Sequence, residues 1–404
     1  MSDPSLAIFF LGFCSASILG AVIAYSGFCT FGAIADWASF GDRGRLGAWL
    51  LAIGTAICGV VFIETTTTIS LDHSVLPYTS PSFNPARYLI GGLIFGIGMH
   101  LSGGCSSKAL VRLGSGNLQG LVVCSFAAIT SYLLIYGALF EEIFYPLLAP
   151  FMLSLEDFGM RSQRLGEFVI HTERESWLYR NHPFLIGLTV SVYSLTLILK
   201  SSRSKLVISG ATIGALVVGG WFLTGSELGE AWVEEMSFRW HPPRNLGLQS
   251  FTFVSPLADF VGLVFGSERH RSVTFGLFGA FGVCFGSFVY HGLTRQLRLN
   301  RFISIQGAVR AALGGILLGT GGVLAVGCSI GQGITGMSTL ALGSLVATVS
   351  MGFSAAFAVR VEYHQILQSD DGSRATKLRR AVISSLIDFH LLPKSWRPRE
   401  GAIS

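Results

Sequence analysis

Charge is scarce in this chain. Of its 404 residues only 13% are Asp, Glu, Lys or Arg, against about 25% in a soluble domain, while 50% are apolar. So few charges cannot cover a water-soluble protein of this size. Paired cysteines are lacking too: the seven are odd in number and contain no C-x-x-C. That argues against a disulfide framework, a zinc site or a dithiol redox centre. No G-x-x-x-x-G-K-[ST] sequence occurs, which speaks against ATP drive within the chain. The first apolar run, Leu6 to Ala24, has neither a basic lead-in nor a clear small-residue cleavage site. It reads as a first membrane helix, not a signal peptide. The net charge of +5 is scattered over loops, a poor fit to nucleic-acid binding and a good one to membrane flanking.

What is present is long stretches without charge. Residues 46–63 form a run of 18, residues 113–140 one of 28, residues 206–226 one of 21, and Ala311 to Val359 one of 49. A straight helix of that last length would reach about 74 Å, more than twice the roughly 30 Å of bilayer hydrocarbon, so the run must break and turn. The chain is a polytopic all-α integral membrane protein.

An internal repeat divides it. The segment from Arg87, RYLIGGLIFGIGMHLSGGCSS, lies over that from Arg310, RAALGGILLGTGGVLAVGCSI, at a constant offset of 223. Gly91, Gly92, Gly96 and Gly98 meet Gly314, Gly315, Gly319 and Gly321, and Gly104-Cys105-Ser106 meets Gly327-Cys328-Ser329. Two unrelated glycine-rich helices would not hold one offset through so many identities. The expected organisation is a first membrane repeat with its connecting segment over 1–180, a second over 181–359, and a solvated basic tail over 360–404. Duplicated halves are a common transporter plan, with the substrate at their interface. The basic tail (Arg374, Lys377, Arg379, Arg380) and the loop with Arg295, Arg298 and Arg301 are read as one crossing apart, which leaves orientation open. Repeat orientation also stays open, since an odd number of crossings per half inverts it.

The expected spans are 6–24, 46–63, 88–104 and 118–139, then 184–199, 206–224, 254–265, 273–290, 312–326 and 340–359. Glycine clusters interrupt them at Ser102–Ser107 and Gly327–Gly333. Unwound backbone inside an apolar run is tolerated only where it is buried in protein or lines a cavity. The serine after each cysteine is placed to cap a short following helix, whose positive end attracts anions. Gly104, Ser106, Ser107, Lys108, Gly327 and Ser329 are thus candidate anion-binding residues. Arg112 shares a helical face with Lys108; the alternative for both is interfacial snorkelling. A third break holds Cys29. Cys29, Cys105 and Cys328 are candidate path residues, whereas Cys14, Cys58, Cys124 and Cys284 sit within spans as small hydrophobes. A thiol is a weak donor and acceptor, suited to loose contact with a soft sulfur atom. His100, off the helical face of Cys105, reads as a packing or capping histidine and not a base. Glu64 and Asp36, at span ends, read as interfacial. No catalytic residue, metal or cofactor is expected.

These segments, Gly27-Phe28-Cys29-Thr30-Phe31-Gly32-Ala33-Ile34-Ala35-Asp36, Gly41-Asp42-Arg43-Gly44-Arg45-Leu46, Gly103-Gly104-Cys105-Ser106-Ser107-Lys108-Ala109-Leu110-Val111-Arg112 with Gly116-Asn117-Leu118, and Gly327-Cys328-Ser329-Ile330-Gly331-Gln332-Gly333, resemble the YeeE/YedE family of bacterial inner-membrane proteins. The resemblance covers both halves. It implies an hourglass-shaped bundle of two pseudo-symmetric halves with broken, re-entrant helices. It also implies transport of an inorganic sulfur-containing anion, thiosulfate above all, handed along three cysteines matching Cys29, Cys105 and Cys328. Some members serve selenium metabolism, and some work beside a small TusA-like sulfur carrier. The lead-in to Cys29 lacks an arginine found in some members. Two other classes compete. A sulfurtransferase would carry a persulfide on Cys105 or Cys328, and a membrane scaffold would leave the broken segments without a role.

Overall fold

A computed structural model describes residues 3–169, 177–201, 203–266, 269–297, 299, 304–368, 374–393 and 396. Its helices are α1 (Pro4–Ser26), α2 (Thr30–Phe40), α3 (Gly44–Thr66), α4 (Pro85–Ser102), α5 (Ser106–Gly114), α6 (Leu118–Ile135), α7 (Tyr145–Leu148) and α8 (Leu165–Val169). There follow α9 (Trp177–Lys200), α10 (Lys205–Gly225), α11 (Glu227–Ser237), α12 (Ser255–Phe265), α13 (Phe275–Leu293), α14 (Ile305–Leu324), α15 (Leu342–Leu367) and α16 (Arg374–Asp388). Among the described residues, nine helical segments are long and apolar enough to cross a membrane. The only sheet described is a two-residue antiparallel pairing of Ser82–Phe83 with Leu153–Ser154. The molecule is a polytopic helical membrane protein.

Glycine sets how its helices meet. In a bilayer, lipid is as apolar as Leu, so association relies on close van der Waals packing and favours small residues. Along α4, Gly91 and Gly98 lie against the backbone of α14 at Leu324–Ala325 and Leu317–Leu318, while Gly92 and Gly96 face Ser350 and Ser354 of α15. In return, Gly315 and Gly319 of α14 face Val123 and Ala127 of α6. A Cβ at any of these would collide with the neighbour. Ser102 is opposite Gly314 and Ala325 is opposite Gly91, so α4 and α14 run antiparallel. The same crossed pairing recurs elsewhere: α1 packs on α13 as α3 packs on α10, and α6 packs on α12 as α15 packs on α2.

The helix ends sort by charge. The excess is net, not exclusive: one end carries Asp3, Glu64, Asp72, Glu141, Glu142, Glu227 and Glu230 with Arg87, Arg164, Arg239 and Arg244 among them, and the other carries Arg43, Lys200, Arg203, Lys205, Arg295, Arg310 and Arg360 with Asp36, Asp42 and Glu362 among them. The loop at Arg295 and the tail lie at the same end, because two crossings, Ile305–Leu324 and Leu342–Leu367, separate them where the sequence suggested one. The 49-residue charge-free run turns at 325–341, where the sequence placed its break. Arg298 and Arg301 lie outside the described residues. The tail also holds a helix: α16 folds back on α15, with His364 2.8 Å from Asp388 and Phe389 packed on Phe353 and Phe357.

Candidate functional site

Three breaks carry three cysteines into the interior, each at the head of a new helical turn. At the first, α1 ends at Ser26 and Gly27 turns the chain through a left-handed conformation (φ 65°). Cys29 then caps α2, its Sγ accepting the Gly32 N–H at 3.4 Å. The Arg45 guanidinium flanks this turn beside Gly32 and reaches Asp36 at 3.4 Å.

At the second break Gly103 is again left-handed (φ 69°). The last carbonyls of a helix have no intrahelical partner. Here Arg112 supplies one, donating from Nη1 to Ser102 O at 2.9 Å and from Nη2 to Gly103 O at 2.8 Å, while Gln119 Nε2 donates to Ser102 O at 3.2 Å. Cys105 heads α5, 2% exposed, its Sγ 3.1 Å from Ser107 Oγ. Gly104 separates the Lys108 stem from the Cys29 thiol: a Cβ there would sit 3.0 Å from Lys108 Cγ and 3.9 Å from Cys29 Sγ. Lys108 is half-buried in this contact.

The third break follows α14. Val326 occupies the position that matches Gly103 in the repeat and takes the same left-handed form (φ 61°), a strained choice for a β-branched residue. Cys328 is fully buried, and its Sγ accepts the Gly331 N–H at 3.3 Å. Gly331–Gly336 then forms a widened, π-type turn, of the sort found at functional sites. Gln332 clamps it, donating from Nε2 to Ala325 O at 2.5 Å and accepting from Ser344 Oγ at 2.5 Å. Tyr78 closes it from the acidic end, its phenol donating to Gly331 O at 2.9 Å. Burial holds that phenol well above its ordinary pKa and so neutral.

The serines do not cap as the sequence suggested. Cys105 itself is the N-cap of α5, and the hydroxyls of Ser106 and Ser329 have no hydrogen-bond partner. The structure brings the first two breaks together nonetheless: Gly104, next to Cys105, lies between the Cys29 thiol and the Lys108 stem. His100 packs edge-on against Phe31 with Nε2 3.6 Å from Glu362. Glu64 is engaged by Arg164 at 2.6 Å.

Sequence reasoning missed the residues gathered near the third break at the acidic end. A cavity of about 150 Å³ there is lined by Arg87, Arg244, Thr252, Ser255 and Asp259 and ends at Val326 and Gly327. Arg87 Nε donates to Leu324 O at 2.9 Å, and Arg244 Nη1 donates to Ile135 O at 2.6 Å. The signal for Arg87 was its place at the start of the repeat, and for Gln332 a long polar side chain inside an apolar run. Tyr78, in an unremarkable loop, gave none.

Comparison with known proteins agrees with this architecture. A family model described as "Sulphur transport" matches residues 25–357. Among curated proteins, the thiosulfate transporter TsuA of Escherichia coli (strain K12) is 24% identical over 343 residues, covering 80% of this chain and 86% of that one. The thiosulfate transporter TsuA of Spirochaeta thermophila is 25% identical over 271 residues, covering 65% and 73%. The family match spans all three cysteine-bearing breaks, and the chain belongs to the sulphur-transport family.

Proposed function

We propose that this protein carries thiosulfate, or a closely related inorganic sulfur anion, across the membrane past the thiols of Cys328, Cys105 and Cys29, with no covalent step. The observation that carries the reading is the series of three single cysteines, each heading a helical turn at a break, with the first two breaks side by side at Gly104. Thiols give weak contacts, so an ion held by sulfur is released as readily as it is taken.

The positive-inside tendency puts the basic end in the cytoplasm. The anion then enters through the cavity beside Arg87 and Arg244, meets Cys328 first, and leaves past Cys29 and Lys108. Gly104, Ser106, Ser107, Gly327 and Ser329 form the walls of the two inner stations. A bacterial inner membrane suits this direction, and a TusA-like carrier would receive the ion at the basic face. The antiparallel, crossed pairing of helices supports reading 1–180 and 181–359 as an inverted duplication, with breaks that enter from opposite sides.

The test is uptake of radiolabelled thiosulfate into proteoliposomes by the wild type and by Cys29→Ala, Cys105→Ala and Cys328→Ala, with sulfate and selenite as competitors. Uptake that is lost in the variants supports the relay. Uptake indifferent to all three changes refutes it.

A further inference from the structure

Each path cysteine is followed by a hydroxyl residue: Thr30, Ser106 and Ser329. All three are buried, at 3%, 1% and 1% exposure, and none of the three side-chain oxygens has a hydrogen-bond partner. Ser131, Ser272 and Thr348, away from the cysteines in the chain, also lack a partner, but the hydroxyls that flank the breaks in sequence are satisfied. Ser102 donates to Gly98 O and Gly104 O, Thr335 to Phe251 O, Ser338 to Thr335 O, and Ser344 to Gln332.

Position explains the difference. A Ser or Thr within a helix ordinarily returns its proton to a carbonyl one turn back. Thr30 and Ser106 are the first residues of α2 and α5; one turn back stand Ser26 and Ser102, the last residues of the preceding helices across the break, and the Ser102 carbonyl is taken by Arg112 and Gln119. Ser329 stands just after a break in the same way, ahead of the turn that starts at Gly331. Three times, then, a protonated oxygen is buried next to a thiol with no acceptor from the protein, an arrangement folding alone disfavours.

We propose that thiol and hydroxyl form one station: the cysteine contacts the terminal sulfur of the anion, and Thr30, Ser106 or Ser329 donates to one of its oxygens. This deepens the transport reading and rests on it. A thiol is a poor donor to a hard oxygen, whereas a hydroxyl is a good one. Adjacent residues, with Cα atoms about 3.8 Å apart, span a small ion that carries both atom types. The pairing makes Thr30, Ser106 and Ser329 specificity-determining residues, and it explains why each thiol needs a companion of fixed chemistry.

The experiment compares Thr30→Val, Ser106→Ala and Ser329→Ala with wild type and with Thr30→Ser, all as full-length protein. Thiosulfate uptake in proteoliposomes and melting temperature with and without thiosulfate are measured. Loss of a hydrogen bond to a charged group raises half-saturation by about ten-fold or more in each hydroxyl-free variant and shrinks the thiosulfate-induced rise in melting temperature. The unliganded melting temperature holds or increases, because an unpaired buried oxygen is gone, and Thr30→Ser keeps wild-type affinity. Wild-type half-saturation in all three variants overturns the proposal. So does a lower unliganded melting temperature with an unchanged thiosulfate response, which marks a structural role. A wild type that neither takes up thiosulfate nor is stabilised by it refutes the transport reading, and the pairing falls with it; wild-type uptake with indifferent variants refutes the pairing alone.

Discussion

Replacing Gln332 by Leu should open the turn that holds Cys328. Leucine occupies much of the glutamine volume, so packing survives while two hydrogen bonds disappear, those to Ala325 O and from Ser344 Oγ. Both groups are deeply buried, Ala325 at 0% and Ser344 at 1% exposure. A buried polar group deprived of its partner costs about 1–3 kcal/mol, so the pair together costs roughly 2–6 kcal/mol. Much of this falls on the closed state of Gly331–Gly336, since both bonds tie that turn to the end of α14 and the start of α15. At about 1.4 kcal/mol per ten-fold change, the lower figure alone raises the open population about 30-fold. The assay is alkylation of Cys328 by a small maleimide in membrane vesicles, followed by peptide mass spectrometry. In the wild type the thiol is fully covered and reacts only through local opening. Gln332→Leu should label about 30-fold faster and transport thiosulfate more slowly. An unchanged labelling rate would refute the idea that Gln332 is the clamp.

Other consequences are testable in the same preparations. Arg112→Lys should reduce uptake nearly as much as Arg112→Gln, because a single ammonium cannot reproduce the fork that serves Ser102 O and Gly103 O; transport equal to wild type in the Lys variant would contradict this. Gly96→Ala places a Cβ against Ser354 Oγ and Met351 O and should destabilise the protein by about 1–3 kcal/mol, read as a lower melting temperature in detergent. Gly352→Ala, with nothing within 4 Å, is its control and should be neutral or stabilising by up to about 1 kcal/mol. Arg164→Ala removes the bridge to Glu64 (2.6 Å) and Asp72 (3.1 Å) and should speed amide hydrogen exchange across residues 71–84, leaving α4 unaffected.

The spans were legible because lipid leaves a strong mark on composition. The expected 118–139 and 206–224 fall on α6 and α10 to within a few residues, and 312–326 falls on α14 but starts about two turns late. The short helices were legible in part: one was expected after Cys105 and is there as α5, but with cysteine and not serine at its N-cap, whereas α2, capped by the Cys29 thiol, follows α1 within one apolar stretch and left no such mark. The turn between α14 and α15 was legible, because the charge-free run had to break and the expected spans 312–326 and 340–359 bracket it; the common side of the Arg295 loop and the tail was not, because one crossing was counted between them where two occur. At the site the three cysteines could be picked out by their glycines. Arg87 offered only its place at the start of the repeat, and Tyr78 and Arg244 offered nothing, since Tyr78 meets the third break, and Arg244 the cavity beside it, from remote parts of the chain. Only the fold shows which loop meets which turn.

The glycine seams along α4 have a mechanical consequence. Where backbones touch directly, no long side chain stands between them to change rotamer and absorb a shift. Moving α4 relative to α14 or α15 would mean breaking a whole seam at once. The helices therefore form a stiff frame, and the flexible joints are short: the turns at Cys29, Cys105 and Cys328, and the segment carrying Tyr78. Under the transport proposed above, such seams favour local hinges over slow rocking of whole halves.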